Sequence, residues 1–253
     1  MLLGRLRRRR GSLRVRSVGA TKVDVSVLDR YARAVAILRL VGANLNYSSW
    51  TMRAWLALKQ AGAEFRFYDV ELKTAPDWKE RILSFSGAGK VPILVDGALS
   101  IHESLAICEY VAERFPQAKL WPDAQALRAR GRAIACEMLS SFTDLRSAMP
   151  CNLRGRARQT PSSPAIAADL ARVLDIWEAS LATSPGRFLL GDFSIADCMY
   201  FPVATRFRTY GVSLPERSAA YCQALFERPH ARELEEAARG APAIPEYDAA
   251  LEG

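Results

Sequence analysis

The hydrophobic period of this chain changes once, near residue 116, and that change restricts the fold more than any other feature of the sequence. Up to that point strand-like runs alternate with helical stripes. The apolar, β-branched run AVAILRLVG from Ala34 has the length of a buried strand. SSWTMRAWLALKQAG follows it. This segment opens on a serine cap, sets Trp50, Ala54, Ala57, Leu58 and Ala61 on one helical stripe, and stops at Gly62. EFRFYDVEL alternates as a second strand, and a helix between two strands predicts that they pair in parallel. TAPDWKERILSF reads as a short helix with Pro76 near its first turn, where a missing N–H costs nothing. KVPILVDGALSIHES supplies two short strands about Asp96-Gly97, a strong hairpin signal, and Glu103 to Phe115 is helical up to Pro116. The expected order is β-α-β-α-β-β-α.

Beyond this point only helical periodicity remains, in Ala-, Leu- and Arg-rich stretches at 124–148, 164–183, 194–210 and 229–239. A Pro- and Ser-containing loop separates the first two. The expected organisation is a basic extension at 1–34, an α/β domain at 35–115, a linker at 116–123 and an all-helical domain at 124–253.

A formal net charge of +8 points to a nucleic-acid partner only if it is spread over the fold, and it is not. The first forty residues hold eleven Lys or Arg against two Asp, and the rest hold 24 against 25 acids. A fold near neutrality has no electrostatic footprint for a phosphate backbone, so no nucleic acid is expected as partner. The Arg-rich start lacks the apolar core of a secretory signal. It reads as a disordered basic extension or as residues upstream of the true start codon, and its composition also suits a mitochondrial-type presequence. Arg39 interrupts the longest early apolar run, and no stretch approaches the roughly 20 apolar residues of a membrane span, so no membrane partner is expected. Five cysteines without a Cys-x-x-Cys pair argue for a reducing, cytoplasmic setting, and two isolated histidines give no basis for a metal site.

Four segments carry candidate chemistry or a structural signature. NYSSWTMRAWLAL, from Asn46, sets the hydroxyls of Ser48 and Ser49 at the mouth of a helix, with Tyr47 as a further hydroxyl candidate. GKVPILVDG places Lys90, Val91 and Pro92 just ahead of a buried strand, and IHESLAICEYV opens a helix on Glu103-Ser104. FLLGDFSIADCMYFPV contains Ser194-x-x-Asp197, a capping box with a structural role.

The order of these segments, followed by an all-helical second half, resembles the cytosolic glutathione S-transferases over roughly residues 37–239, in particular serine-type, zeta- or theta-like bacterial members. The resemblance implies an α/β thioredoxin-like N-terminal domain, an all-α C-terminal domain, a homodimer and glutathione as co-substrate. It implies that Ser48 or Ser49 activates the glutathione thiol. A zeta-like register selects Ser48; a delta-like register, four residues before Arg53, selects Ser49. A free thiol has a pKa of about 8.5, and lowering it by two units takes roughly 2.7 kcal/mol, within reach of a hydroxyl donor and a helix terminus. The loop holds no cysteine, so disulfide exchange is excluded and glutathione's sulfur is the nucleophile. Lys90, Val91 and a cis Pro92 are implied to take the tripeptide as an added strand, and Glu103 and Ser104 to hold its γ-glutamyl end. Trp50, Met138 and Phe142 are candidates for an apolar pocket that takes a small electrophile. The zeta pattern has a cysteine where this chain has Trp50, which counts against maleylacetoacetate isomerase activity. That isomerisation and a non-catalytic interaction role are the alternatives to glutathione transfer.

Overall fold

The computed structural model describes residues 37–252, so the basic extension and the start of the expected first strand lie outside the described residues. Four strands, β1 (Leu38–Gly42), β2 (Phe65–Asp69), β3 (Ile93–Asp96) and β4 (Leu99–His102), form one sheet in the order β2-β1-β3-β4. β1 and β2 pair in parallel from Leu38↔Phe65 to Gly42↔Asp69, as the helix between them requires. β3 lies antiparallel to β1 and to β4, and the hairpin turns at Gly97, whose φ of +59° suits glycine.

Helix α1 (Ser49–Gln60) is the crossover between β1 and β2, and it is buried almost all round. It packs on α3 (Ser104–Arg114) on one side and on α7 (Ile195–Thr209) of the helical half on the other, so its apolar residues are not confined to one stripe. Any side chain at residue 42 would collide with Thr51 and with the Phe67 ring; glycine there lets the first turn of α1 sit against the end of β1. Helix α2 (Trp78–Phe85) starts after Pro76 rather than on it, with Asp77 at the N-cap position.

The helical half contains α4 (Gln125–Ser140), α5 (Thr143–Ala148), α6 (Pro164–Thr183), α7, α8 (Glu216–Glu227), α9 (Pro229–Gly240) and the single turn α10 (Pro245–Asp248). Its centre is α7, around which Trp177 of α6 contacts Tyr200, Phe207 and Tyr221. Two features differ from the sequence expectation. The stretch 124–148 is two helices, because Phe142 buries its ring while its backbone takes the left-handed φ of +63°, and Arg146 turns back to donate to the carbonyls of Leu139 and Ser141 that the break sets free. The sequence periodicity also does not single out α8, a twelve-residue helix held between Pro215 and Pro229, or the single turn α10. Among the described residues no helix is long and apolar enough to cross a membrane.

Candidate active site

Strand register decides what gathers at the end of β1. Val41 lies opposite Ile93, and Ile93 lies opposite His102, so the loop after β1, the Val91-Pro92 segment and Glu103-Ser104 reach the same end of the sheet. The loop after β1 is held by local bonds. Ser48 N–H donates to Asn44 O at 2.9 Å, and Ala43 N–H donates to Thr51 Oγ1 at 3.1 Å. Ser48 is the N-cap of α1; its Oγ accepts from Thr51 N–H at 3.3 Å and lies 2.7 Å from Thr51 Oγ1.

A cleft of about 420 Å³ opens beside this helix start. Ser48, Ser49, Trp50 and Val91 line it from the sheet side, Arg146, Cys151 and Arg206 from the helical half, and Ile244 and Tyr247 from the C-terminal segment. The Val91-Pro92 peptide is cis, Pro92 is buried and Lys90 is exposed. Glu103, with a φ of +70°, and Ser104 stand at the N-terminus of α3 without lining the cleft. Ser104 is buried, and its Oγ has no hydrogen-bond partner among the described residues. Met138 and Phe142 also do not line the cleft: both side chains are in the hydrophobic core, Met138 fully buried and Phe142 4% exposed. The helix break turns the Phe142 ring inward and brings Arg146 to the cleft in its place.

The cleft is electrostatically one-sided. Arg146 and Arg206 are the charged residues of its lining, which contains no Asp, Glu or Lys. Arg206 reaches Ser49 Oγ with Nη2 at 3.5 Å, and the guanidiniums of Arg53 and Arg146 stack on the Trp50 ring at 4.4 Å and 4.6 Å from its centroid. Burial lowers the pKa of all three arginines. For Arg53 the repulsion of Arg206 and Arg146 adds to burial and brings the value down to about 9. Burial pushes the Cys151 thiol up, which removes it as a nucleophile at neutral pH. The Tyr47 hydroxyl is committed elsewhere: it donates to Asp248 Oδ1 at 2.7 Å and accepts from Arg154 Nη2 at 3.0 Å and Ile244 N at 3.2 Å. Arg146, Arg206 and Thr51 are absent from the sequence-level set of site residues. An arginine in a helical stripe looks like any surface cation until tertiary packing places it.

Residues 47–114 match the description Glutathione S-transferase, N-terminal domain, and residues 156–237 match Glutathione S-transferase, C-terminal domain. A Caenorhabditis elegans protein named probable maleylacetoacetate isomerase is 30% identical over 156 residues, covering 61% of this chain and 72% of that one. The chain belongs to the glutathione S-transferase family. Glutathione S-transferase L2, chloroplastic, of Arabidopsis thaliana is 31% identical over 66% of this chain, which spans 54% of that relative's length. The crystal structure of the theta class glutathione S-transferase of Xanthomonas axonopodis pv. citri, with glutathione bound, aligns with a TM-score of 0.61 and 25% identity, covering 79% of this chain and 97% of that one. The mixed sheet with its helices is thus the thioredoxin-like half of a glutathione S-transferase, and the helices from α4 onward are its all-helical half.

Proposed function

We propose that this chain is a serine-type glutathione transferase in which Ser48 holds the glutathione sulfur as thiolate for attack on a small electrophile. The observation that carries this is the hydrogen bonding of Ser48. Thr51 Oγ1 accepts from Ala43 N–H and can give its own proton to Ser48 Oγ, which also accepts from Thr51 N–H. In that arrangement two donors satisfy the Ser48 oxygen, and Ser48 keeps its own proton for a sulfur in the cleft. The N-terminus of α1 and the two guanidiniums on the far wall favour the same negative charge. Ser49 fits the role less well, being 6% exposed with its oxygen facing Arg206.

The residues present suit glutathione. The Ser104 hydroxyl, buried and without a partner at a helix N-terminus, matches a ligand carboxylate, and the exposed Glu103 suits an ammonium. Val91 lies two residues before the first paired residue of β3, where an extended peptide adds alongside, with Lys90 and Pro92 flanking it. The glutathione-bound theta-class relative supports this reading.

Calorimetric titration of glutathione into the protein, followed by turnover with a chromogenic electrophile, tests it. Ser48→Ala is expected to lose at least about tenfold in kcat/KM, the effect of one charge-assisted hydrogen bond, and Ser49→Ala to lose much less. Unchanged turnover in Ser48→Ala rejects the role of Ser48. Absence of binding heat leaves a non-catalytic member of the fold, and turnover that consumes no glutathione marks an isomerase.

A further inference from the structure

Arg53, Arg146 and Arg206 form a cluster with no carboxylate in it. Their bonds to protein oxygens run to backbone carbonyls, from Arg53 Nε to Met199 O at 3.2 Å, from Arg146 Nη1 to Leu139 O and Ser141 O at 3.5 and 3.3 Å, and from Arg206 Nε and Nη1 to Met149 O and Pro202 O at 2.8 and 3.1 Å; Arg206 Nη2 adds the long contact to Ser49. Several other arginines pair with acids, as in Arg132 with Glu109, Arg172 with Glu137, Arg208 with Glu235 and Arg217 with Glu178, and those that bond backbone carbonyls instead, such as Arg128 and Arg154, lie outside the cleft. Three mutually repelling cations, two of them buried, are costly to maintain without an anion. Arg53 is closed off from the cleft and serves the packing of α1 on α7. Arg146 and Arg206 face the cleft, and they carry its whole formal charge.

Arg146 is built to receive an anion. Its guanidinium lies over the Trp50 ring, and among the described residues no hydrogen bond engages its Nε or Nη2. That edge is the one that grips a carboxylate with two parallel bonds. Thr143 and Ser147, one turn apart on α5, add hydroxyls to the same wall. We infer that Arg146, backed by Arg206, binds a carboxylate of the second substrate, so that the electrophile taken by this cleft is an organic acid rather than a neutral hydrophobe. This rests on the transferase reading above. The carboxylates of glutathione are the other source of such an anion. In the transferase reading, however, Val91, Glu103 and Ser104 take the tripeptide on the sheet side, whereas Arg146 stands on α5 across the cleft.

The test compares a chloronitrobenzoate with the matching uncharged chloronitrobenzamide, the same aryl chloride with and without the anion. In both assays the thiolate sulfur forms a bond to the ring carbon, the carbon–chlorine bond breaks, chloride leaves with the bonding pair, and the thiol proton goes to buffer. The native protein is expected to favour the benzoate in kcat/KM by about tenfold or more, and Arg146→Met, which keeps the apolar stem on Trp50, to erase most of that ratio, with Arg146→Lys in between. Calorimetry with the benzoate and the benzamide in the absence of glutathione reads the anion site independently of chemistry. A native protein that turns over the benzamide as well as the benzoate, and binds both alike, overturns the inference and leaves the transferase reading standing. An Arg146→Met variant whose KM for glutathione rises while the benzoate-to-benzamide ratio holds also overturns it, because the arginine then serves the tripeptide. If neither compound reacts, yet the benzoate alone binds and Arg146→Met abolishes that binding, the transferase reading fails and the anion site remains.

Discussion

At the scale of single residues the proposed site depends on Thr51, which does not itself line the cleft. It is fully buried, takes the N–H of Ala43 at 3.1 Å and faces the Ser48 hydroxyl at 2.7 Å, so it joins the end of β1 to the serine proposed to meet the sulfur. A valine of the same shape keeps the packing and deletes the relay, leaving the Ala43 N–H unpaired and the Ser48 proton free to turn back toward protein acceptors. Thr51→Val is expected to lower kcat by about tenfold, the worth of one charge-assisted bond, while the KM for glutathione holds. The pKa of the bound thiol, read from thiolate absorbance, is expected to rise with it, and Thr51→Ser to restore both. A purely structural role would lower thermal stability in both variants and leave the thiol pKa where it was. A raised thiol pKa in Thr51→Val, restored in Thr51→Ser, would make Thr51 a positioning residue.

At the scale of elements, α7 is the piece on which the helical half is assembled, and its start is fixed by the capping box of Ser194 and Asp197. Asp197 is fully buried. Its Oδ2 accepts from Ser194 N–H and Oγ, both at 2.8 Å, and its Oδ1 from Leu189 N–H at 3.1 Å and Tyr221 Oη at 3.0 Å. Asp197→Ala strands these donors in the core, and chemical denaturation is expected to show a loss of at least about 2 kcal/mol. The dissociation constant for glutathione is expected to hold under native conditions, because the box contributes nothing to the cleft lining. This box was legible in the sequence because every partner in it except Tyr221 lies within nine residues. The same holds for the Asp96-Gly97 hairpin and for α6, whose serine cap and first-turn proline mark its start at Pro164. The break at Phe142 was not legible: the stretch keeps its helical period across the break, and only the burial of one ring and the return of Arg146 explain it. Within the site, Ser48, Ser49 and Trp50 could be read from one local segment, whereas Arg206 lies 157 residues from Ser49 and meets it through tertiary packing alone.

At the scale of the whole molecule, the C-terminal segment ties the two halves together beside the cleft. Asn44 Nδ2 donates to Pro242 O at 2.8 Å, Asn152 Nδ2 to Asp248 Oδ1 at 2.8 Å, and Lys73 pairs with Glu246 at 3.0 Å. Tyr47 adds to these links: its ring stacks on Tyr247 and its hydroxyl bonds Asp248, Arg154 and the Ile244 N–H at once. Ile244 and Tyr247 are the residues of that segment that wall the cleft, so the hydroxyl of Tyr47 contributes to how firmly the wall stands. Tyr47→Phe keeps the stacking and removes all three bonds, orphaning a buried N–H at a cost of about 1–3 kcal/mol. The expected result is faster hydrogen exchange through residues 244–248 and a several-fold rise in the KM of the electrophile, with kcat at saturation close to that of the native protein. The opposite pattern, kcat lost while both KM values hold, would make Tyr47 rather than Ser48 the partner of the sulfur. The geometry opposes that outcome, because a hydroxyl whose one proton already goes to a carboxylate 2.7 Å away has none left for a thiolate.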